Sequence, residues 1–390
     1  MILIIIAIFF LSTEILTLLS GILLILKAPK LLPSKQWKNK NEHRPLVSVL
    51  VPAHNEAKHL KSSLQTLITQ DYPNLEVLII NDRSQDETQK IIDDFCQHYK
   101  FCHGITINDL PEGWLGKSHA LQQGLNQAKG EYCLLTDADV IHAPWVISAT
   151  VAMCKKKRLD YCTLAPNITP KTNTLSWFMP FLGYVLYLTL HPWRMNTRIC
   201  YKPTGIGAFN FFKTTLLRET KALNVVALDP IDDVGVAKAI GQKSQKGAFL
   251  LSENAITLDW YPDLNALKKG LEKNLYRQFN YQKPRFFISL IGLLGYIFSP
   301  VIFLILGSST LIKIEVVMLI IRYCFFLMQP NNSWSRKTIA YIMHPLSALV
   351  FSYIAIRSVF LAEKRQAILW GGISFPLSKL KAFLKKNTNS

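Results

Sequence analysis

Between Pro111 and Val140 the chain reads PEGWLGKSHALQQGLNQAKGEYCLLTDADV. A loop carrying Gly113, Gly116 and Lys117 leads into a predicted helix from about Ser118 to Ala128. A turn at Gly130 and a buried strand, Tyr132 to Leu135, follow, and the strand delivers Asp137-Ala138-Asp139 at its carboxyl end. Two carboxylates one residue apart at a strand end suit a hard divalent cation that carries a diphosphate. Lys117, in a loop before a helix, is placed to reach a phosphate or a nucleoside. A second acidic group stands at Asp229-Pro230-Ile231-Asp232-Asp233, opening an amphipathic helix expected to run through Ile240 and close at Gly241. Alone, such a pair is a helix start favoured by the dipole. Beside Asp137 and Asp139 it offers a general base, Asp233 or Asp232.

The elements that must position these groups alternate. Strands are predicted at Leu46–Val51, Leu75–Ile80 and Ile105–Ile107, with helices from Glu56 to about Gln70 and from Asp86 to roughly Tyr99, Asp86 acting as a cap. A further helix near Trp145–Lys157, a strand near Leu159–Leu164 and a strand-like run Ala208–Phe212 after Gly205-Ile206-Gly207 complete the pattern. Alternation of this kind predicts a doubly wound α/β sheet, mainly parallel, with its ligand at the carboxyl ends of the strands. Those ends carry Pro52-Ala53-His54-Asn55-Glu56, then Asn81-Asp82-Arg83-Ser84-Gln85-Asp86, then the Asp137 triplet. One polar strand end is ordinary turn chemistry. Three on one edge point to a site. His54 and His119 are read as satisfied or surface histidines, and Trp114 either stacks on a ligand or packs.

The chain has 49% apolar residues and a formal net charge of +18, with many lysines and arginines flanking apolar runs. No basic stripe interleaved with aromatics stands out, so a membrane surface is favoured over nucleic acid as the partner. Seven cysteines show no C-x-x-C spacing, which argues against a zinc site or a disulfide framework and fits a reducing compartment. Met1–Leu26 is apolar and long enough to cross a bilayer, and positive charges follow it at Lys27, Lys30, Lys35, Lys38, Lys40 and Arg44. That asymmetry predicts a cytoplasmic domain after an uncleaved anchor. Glu14 sits in mid-span, either in polar contact with another span or as a tolerated carboxylate. Leu175–Trp193 is expected as a buried core helix or an interfacial one, and Leu264 to about Phe279, with Lys268, Lys269, Lys273 and Arg277, as a helix on anionic lipid. Phe286–Leu306 and Ile339–Leu361 read as spans, and the basic tail from Glu363 as cytoplasmic. A third crossing at Leu311–Met328 would leave that tail outside, so this segment is expected to be re-entrant or interfacial. The expected domains are an anchor at 1–27, a basic linker at 28–44, a cytoplasmic catalytic domain at 45–285, membrane segments at 286–362 and a tail at 363–390.

At its motifs the chain resembles the family 2 glycosyltransferases. They read V-S-V-L-V-P-A-H-N-E at Val47–Glu56, N-D-R-S-Q-D at Asn81–Asp86, G-K-S-H-A-L at Gly116–Leu121, T-D-A-D at Thr136–Asp139 and D-D-V at Asp232–Val234. Order and spacing agree over roughly Leu46–Lys243. The flanking spans, the G-W-L-G-K loop and A-I-L-W-G-G near Trp370 are similar to the subgroup associated with hopanoid and carotenoid glycosylation. The resemblance implies a GT-A, nucleotide-diphospho-sugar transferase fold on transmembrane helices. It implies a membrane-bound, inverting transfer of one sugar from a UDP-sugar to a lipid acceptor at the inner membrane, without nucleic acid. By this resemblance Pro52, Ala53, Asn55, Glu56, Asn81 and Asp82 would line the nucleotide-sugar pocket with Lys117 and Asp137. Asp137 and Asp139 would hold Mn²⁺ or Mg²⁺, Asp139 most directly, Asp233 would be the base, and Gly205 and Gly207 would belong to the acceptor loop. Asn81 and Asp232 stand where Asp and Glu are commoner in the family, which bears on donor preference and on the choice of base. The Q-x-x-R-W motif of processive synthases is not found, which favours a single addition. A polyprenyl-phosphate sugar transferase, a transporter component and a non-catalytic scaffold are the alternatives.

Overall fold

The structure, a computed structural model, describes residues 2–33, 43–197, 201–306, 309–328 and 334–388. Lys35, Lys38 and Lys40 of the basic run, and Cys200, lie outside the described residues. The chain divides into two compact units. One comprises Ala28–Thr169, Arg194–Asp259 and Phe383–Ser390; the other comprises Met1–Lys27, Pro170–Trp193 and Trp260–Ala382.

The first unit is α/β. Its seven-stranded sheet runs Cys102–Ile107, Leu75–Asp82, Val47–Ala53, Tyr132–Leu135, Asn210–Lys213, Tyr161–Leu164 and Gly247–Leu250. The first four strands are parallel, as is the last pair, and Asn210–Lys213 is antiparallel to both neighbours. Val47, Val49, Leu50 and Val51 of one central strand and Val77, Ile79 and Ile80 of the next are fully buried. Apolar runs without alternation are what parallel strands covered on both faces require. Helices Ala57–Ile68, Thr88–His98 and Gly116–Gln127 connect the parallel strands. The first two strands run two residues past the expected limits, to Ala53 and Asp82, and the third begins at Cys102. The helix from Asp232 passes Gly241 and ends at Lys243.

The second unit is helical: Ile2–Lys27, Asn173–Leu190, Leu264–Gln278, Lys283–Ile305, Ser309–Met328, Trp334–Ile342 and His344–Arg365, with a hairpin pairing Ala367–Trp370 with Ile373–Pro376. Ile2–Lys27, Lys283–Ile305 and His344–Arg365 are long and apolar enough to cross a membrane. The first exposes Ile5, Phe9, Leu16 and Leu26 and buries Ala7, Glu14, Thr17 and Gly21. Large apolar side chains outside and small or polar ones inside is the pattern of a helix solvated by lipid.

Leu311–Met328, expected as re-entrant or interfacial, lies within one unbroken helix, Ser309–Met328. Two of its charged residues, Glu315 and Arg322, are buried, while Lys313 is exposed. Arg322 Nε donates to Glu14 Oε1 at 2.6 Å, and the Arg322 guanidinium sits 4.6 Å from the Tyr296 ring centroid. Ala7 packs with Leu311 and Met318, Glu14 pairs with Arg322, and Gly21 faces Phe325 and Met328. Ascending contacts on both helices mean that they run side by side in the same direction. A hydropathy reading penalises Glu315 and Arg322, whereas both are buried.

The segment Leu175–Trp193, expected as a core or an interfacial helix, is helical through Leu190. Thr172 caps Asn173–Leu190, which continues through Pro180 and buries Phe178, Phe181 and Tyr184. Tyr184 and Tyr187 hydroxyls meet Tyr296 (2.6 Å) and Ser20 (2.8 Å). Helix Leu264–Gln278 is tied to the far end of His344–Arg365: Glu272 pairs with Arg357 and with Arg365 (2.9 Å), and the Tyr276 hydroxyl donates to Glu363 (2.7 Å).

Candidate active site

The site is assembled at the carboxyl ends of the parallel strands. Loops after Val47–Ala53 and Leu75–Asp82 are stitched together. Asn55, at φ +56°, donates its backbone N–H to Ser84 Oγ (3.0 Å), and its Oδ1 accepts from Gln85 N (2.8 Å). Asn tolerates this left-handed conformation better than most residues. Asp86 serves two helices, accepting from Thr88 N (3.0 Å) and from Ala57 N (3.1 Å). Pro52 and Ala53 form the strand end, Ala53 buried. Asn81 turns into its own loop, donating to Gln89 (2.6 Å) and accepting from Ser84 N (3.1 Å).

Asp82 is buried and gripped by Arg83, Nε to Oδ1 at 2.7 Å and Nη2 to Oδ2 at 2.9 Å. The start of helix Gly116–Gln127 presses on this pair, and a Cβ at position 116 would collide with the Asp82 carboxylate. Glycine is required there for close approach. The same helix start is anchored to the segment that leads to Asp232, through Leu115 N to Ala227 O (2.7 Å) and Ser118 Oγ to Val226 O (3.3 Å). Lys117 is thereby aimed at two acidic pairs. Its Nζ lies 2.6 Å from Asp137 Oδ1 and 3.7 Å from Asp232 Oδ2.

The loop Gly205–Gly207 closes the other wall. Gly207 N donates to Asp233 Oδ2 and Val234 N to Asp233 Oδ1, both at 2.8 Å. Thr136 Oγ1 donates to Ala208 O (2.8 Å), joining the acidic strand end to this loop, and Asn210 Oδ1 accepts from Ile206 N (3.1 Å). A Cβ at Gly207 would stand 2.9 Å from Asp137 Oδ2 and 3.2 Å from Lys117 Nζ. The cleft is lined by Lys117, Asp137, Asp232, Asp233 and Gly207 together with Thr136, Asn210 and Val236. Thr136 was visible only as part of T-D-A-D. Asn210 carried no sequence signal, because its role is to shape a loop. Away from the cleft, His119 stacks edge-on with Trp114, ring centroids 5.7 Å apart.

Crowded carboxylates set the electrostatics. Burial, then Asp139, Asp137 and Asp86, push Glu56 up to about 7. Burial and Asp137 push Asp139 up to about 6. Burial and Asp232 push Asp233 up to about 6. Burial alone would lower Lys117, but Asp137, Asp232 and Asp233 outweigh it and hold the ammonium above its ordinary range. Among the described residues no group of three His, Cys, Asp or Glu side chains is placed to cage a metal ion. Asp137 and Asp139 are a two-carboxylate pair, and a pair of this chemistry suits a divalent cation only when phosphate oxygens and water complete its shell.

A parallel-rich sheet with an acidic pair at the central strand ends and a second acidic pair across the cleft defines a GT-A-like nucleotide-sugar transferase fold. Residues 48–221 match the description Glycosyl transferase family 2. Over 106 residues it is 35% identical to the probable glycosyltransferase YdaM of Bacillus subtilis, covering 27% of this chain and 25% of that protein. It is 33% identical over 141 residues to the poly-beta-1,6-N-acetyl-D-glucosamine synthase of Staphylococcus epidermidis (35% and 32% covered). To the 4,4'-diaponeurosporenoate glycosyltransferase of Staphylococcus aureus it is 32% identical over 103 residues, 26% of each. The matches thus span a quarter to a third of these relatives' lengths. The mannosyltransferase PcManGT of Pyrobaculum calidifontis, solved with GDP-Man and Mn2+, shares the fold at a TM-score of 0.52 and 18% identity, covering 93% of this chain and 97% of that one.

Proposed function

We propose that this protein is a membrane-anchored glycosyltransferase that moves one sugar, with inversion, from a UDP-sugar to a lipid acceptor at the inner membrane, its catalytic domain facing the cytoplasm. The observation that carries the reading is the cleft in which Lys117, Asp137, Asp232 and Asp233 meet. The carotenoid-directed relative and the apolar helices support a lipid acceptor.

In this reading Asp139, with Asp137, holds Mn²⁺ or Mg²⁺, which offsets charge growing on the departing diphosphate. Lys117 supplies a further positive charge on the same side. Pro52, Ala53, Asn55, Glu56 and Asp82 bound the nucleoside, and Asn81 acts through the shape of its loop. Asp233 takes the proton of the acceptor hydroxyl. Each of its oxygens already accepts one backbone N–H, which fixes the carboxylate and leaves a second lone pair on each for that proton. Raised to about 6, it is ionised at neutral pH yet basic enough to accept. Asp232 faces the ammonium instead, which favours Asp233 as the base.

The test is the detergent-solubilised full chain with Mn²⁺, a panel of UDP- and GDP-sugars and total membrane lipid, following nucleotide release and lipid mass. A lipid gaining one sugar from a UDP-sugar is the expected result. Release of UDP with no glycosylated lipid would remove the lipid acceptor from the reading. Folded protein that neither binds nor turns over any donor would leave only the scaffold.

A further inference from the structure

Lys117 stands in a position that the proposed transfer does not by itself require. Its ammonium lies between the pair assigned to the cation and the pair assigned to the base, against Asp137 Oδ1 (2.6 Å) and within 3.7 Å of Asp232 Oδ2. The other oxygen of Asp137 faces Gly207, where even a Cβ would come within 2.9 Å of it. One oxygen of Asp137 is thus taken by an ammonium, which reduces what Asp137 offers a cation. What is left for an incoming cation is chiefly Asp139, and a lone carboxylate is a weak site for a hard divalent ion.

We propose that Lys117 is a built-in counterion that holds Asp137 until a diphosphate enters, so that the protein takes up its divalent cation together with the nucleotide and not ahead of it. The inference rests on the reading of Asp137 and Asp139 as the cation site. The diphosphate changes the competition in two ways. It gives the ammonium another anion, within reach of a flexible four-carbon stem, and it brings the cation the oxygens that the protein lacks. Asp232 keeps the displaced ammonium inside the cleft. Cation and nucleotide then raise each other's affinity by one common factor, as linkage demands.

The experiment measures Mn²⁺ binding, by the spin-resonance signal of free Mn²⁺, to the full chain in detergent, with and without saturating UDP. Wild type is expected to bind Mn²⁺ weakly alone and at least about tenfold more tightly with UDP, the scale of one charge-assisted pair. Lys117→Gln is expected to bind Mn²⁺ without UDP about tenfold more tightly than wild type does, and to gain less from UDP. Lys117→Arg keeps a cation in place and is expected to behave as wild type, which guards against misfolding in the neutral variant. Equal Mn²⁺ affinities for wild type and Lys117→Gln without UDP, with Asp139→Ala abolishing binding in both, overturn the counterion and leave the cation site standing. Binding of no Mn²⁺ by wild type even with UDP overturns both together.

Discussion

Asp233 owes its basicity to burial and to Asp232, and both can be tested through turnover. Asp233→Asn preserves the shape and the hydrogen bond to Gly207 through its carbonyl oxygen, so donor binding is expected to persist. Transfer should fall by about 10²–10⁴, the usual contribution of a positioned base. Full turnover in this variant would move the role to Asp232. Asp233 must be ionised to accept a proton, so kcat at saturating donor and Mn²⁺ should fall as pH drops through about 6, roughly tenfold per unit below it, and stay level from there toward neutrality. A flat kcat between pH 5 and 7 would contradict this assignment. Asp137, Asp139 and Asp233 were legible because each sits in a short motif at a predicted element end. That Lys117 bridges the two acidic pairs was not, since Asp232 reaches it only when the sheet brings distant segments together.

Among the elements, the parallel strands were legible because short, fully apolar runs that end in polar residues are the mark of strands buried on both faces. Ser309–Met328 runs as one helix through its charged residues, and its buried Arg322 is answered from another helix by Glu14. Its direction carries a consequence for membrane crossing. It runs parallel to Ile2–Lys27, so if Ile2–Lys27 crosses inward, Lys283–Ile305 crosses outward and Ser309–Met328 returns to the side of Lys27. The ends of His344–Arg365 are both held near that side. His344 packs on Phe326, close to the end of the returning helix, and Glu363 pairs with Lys283 at 3.0 Å. On that premise the parity conflict dissolves, and His344–Arg365, though long and apolar enough to cross, is expected to lie along the membrane. Single cysteines placed near residue 307 and in the carboxyl-terminal tail should be labelled by an impermeant reagent from opposite sides of sealed vesicles. Labelling of both from one side would rule this arrangement out.

For the whole molecule, a net charge of +18 favours approach to a negatively charged surface. Lys268 and Lys269 lie on a helix of the membrane-helix unit, and Lys273 rests over the Trp370 ring, 3.9 Å from its centroid. Transfer to a lipid acceptor in vesicles containing anionic phospholipid is expected to exceed transfer in zwitterionic vesicles, and the difference should shrink when salt is raised to about 1 M, where screening reaches within roughly 3 Å. A difference unaffected by salt would assign the preference to something other than charge. Glu14 and Arg322 give a second whole-molecule test. Arg322→Met alone should destabilise the protein in detergent by about 3–5 kcal/mol, as stranding one buried charge does, whereas replacing both partners by leucine should recover most of the loss. Melting temperatures of wild type and the two variants decide it.

The same pair also sets a timetable for biosynthesis. Glu14 leaves the ribosome 308 residues ahead of Arg322, roughly half a minute at about 10 residues per second. During that interval Glu14 stands as an unmatched acid midway along an apolar helix, and only the arrival of Ser309–Met328 brings its partner. A nascent chain cut short before that helix carries its own mark of incompleteness, legible to a membrane protease that recognises exposed polar groups in a span. The helix Ile2–Lys27 is thus complete only once Ser309–Met328 has been made.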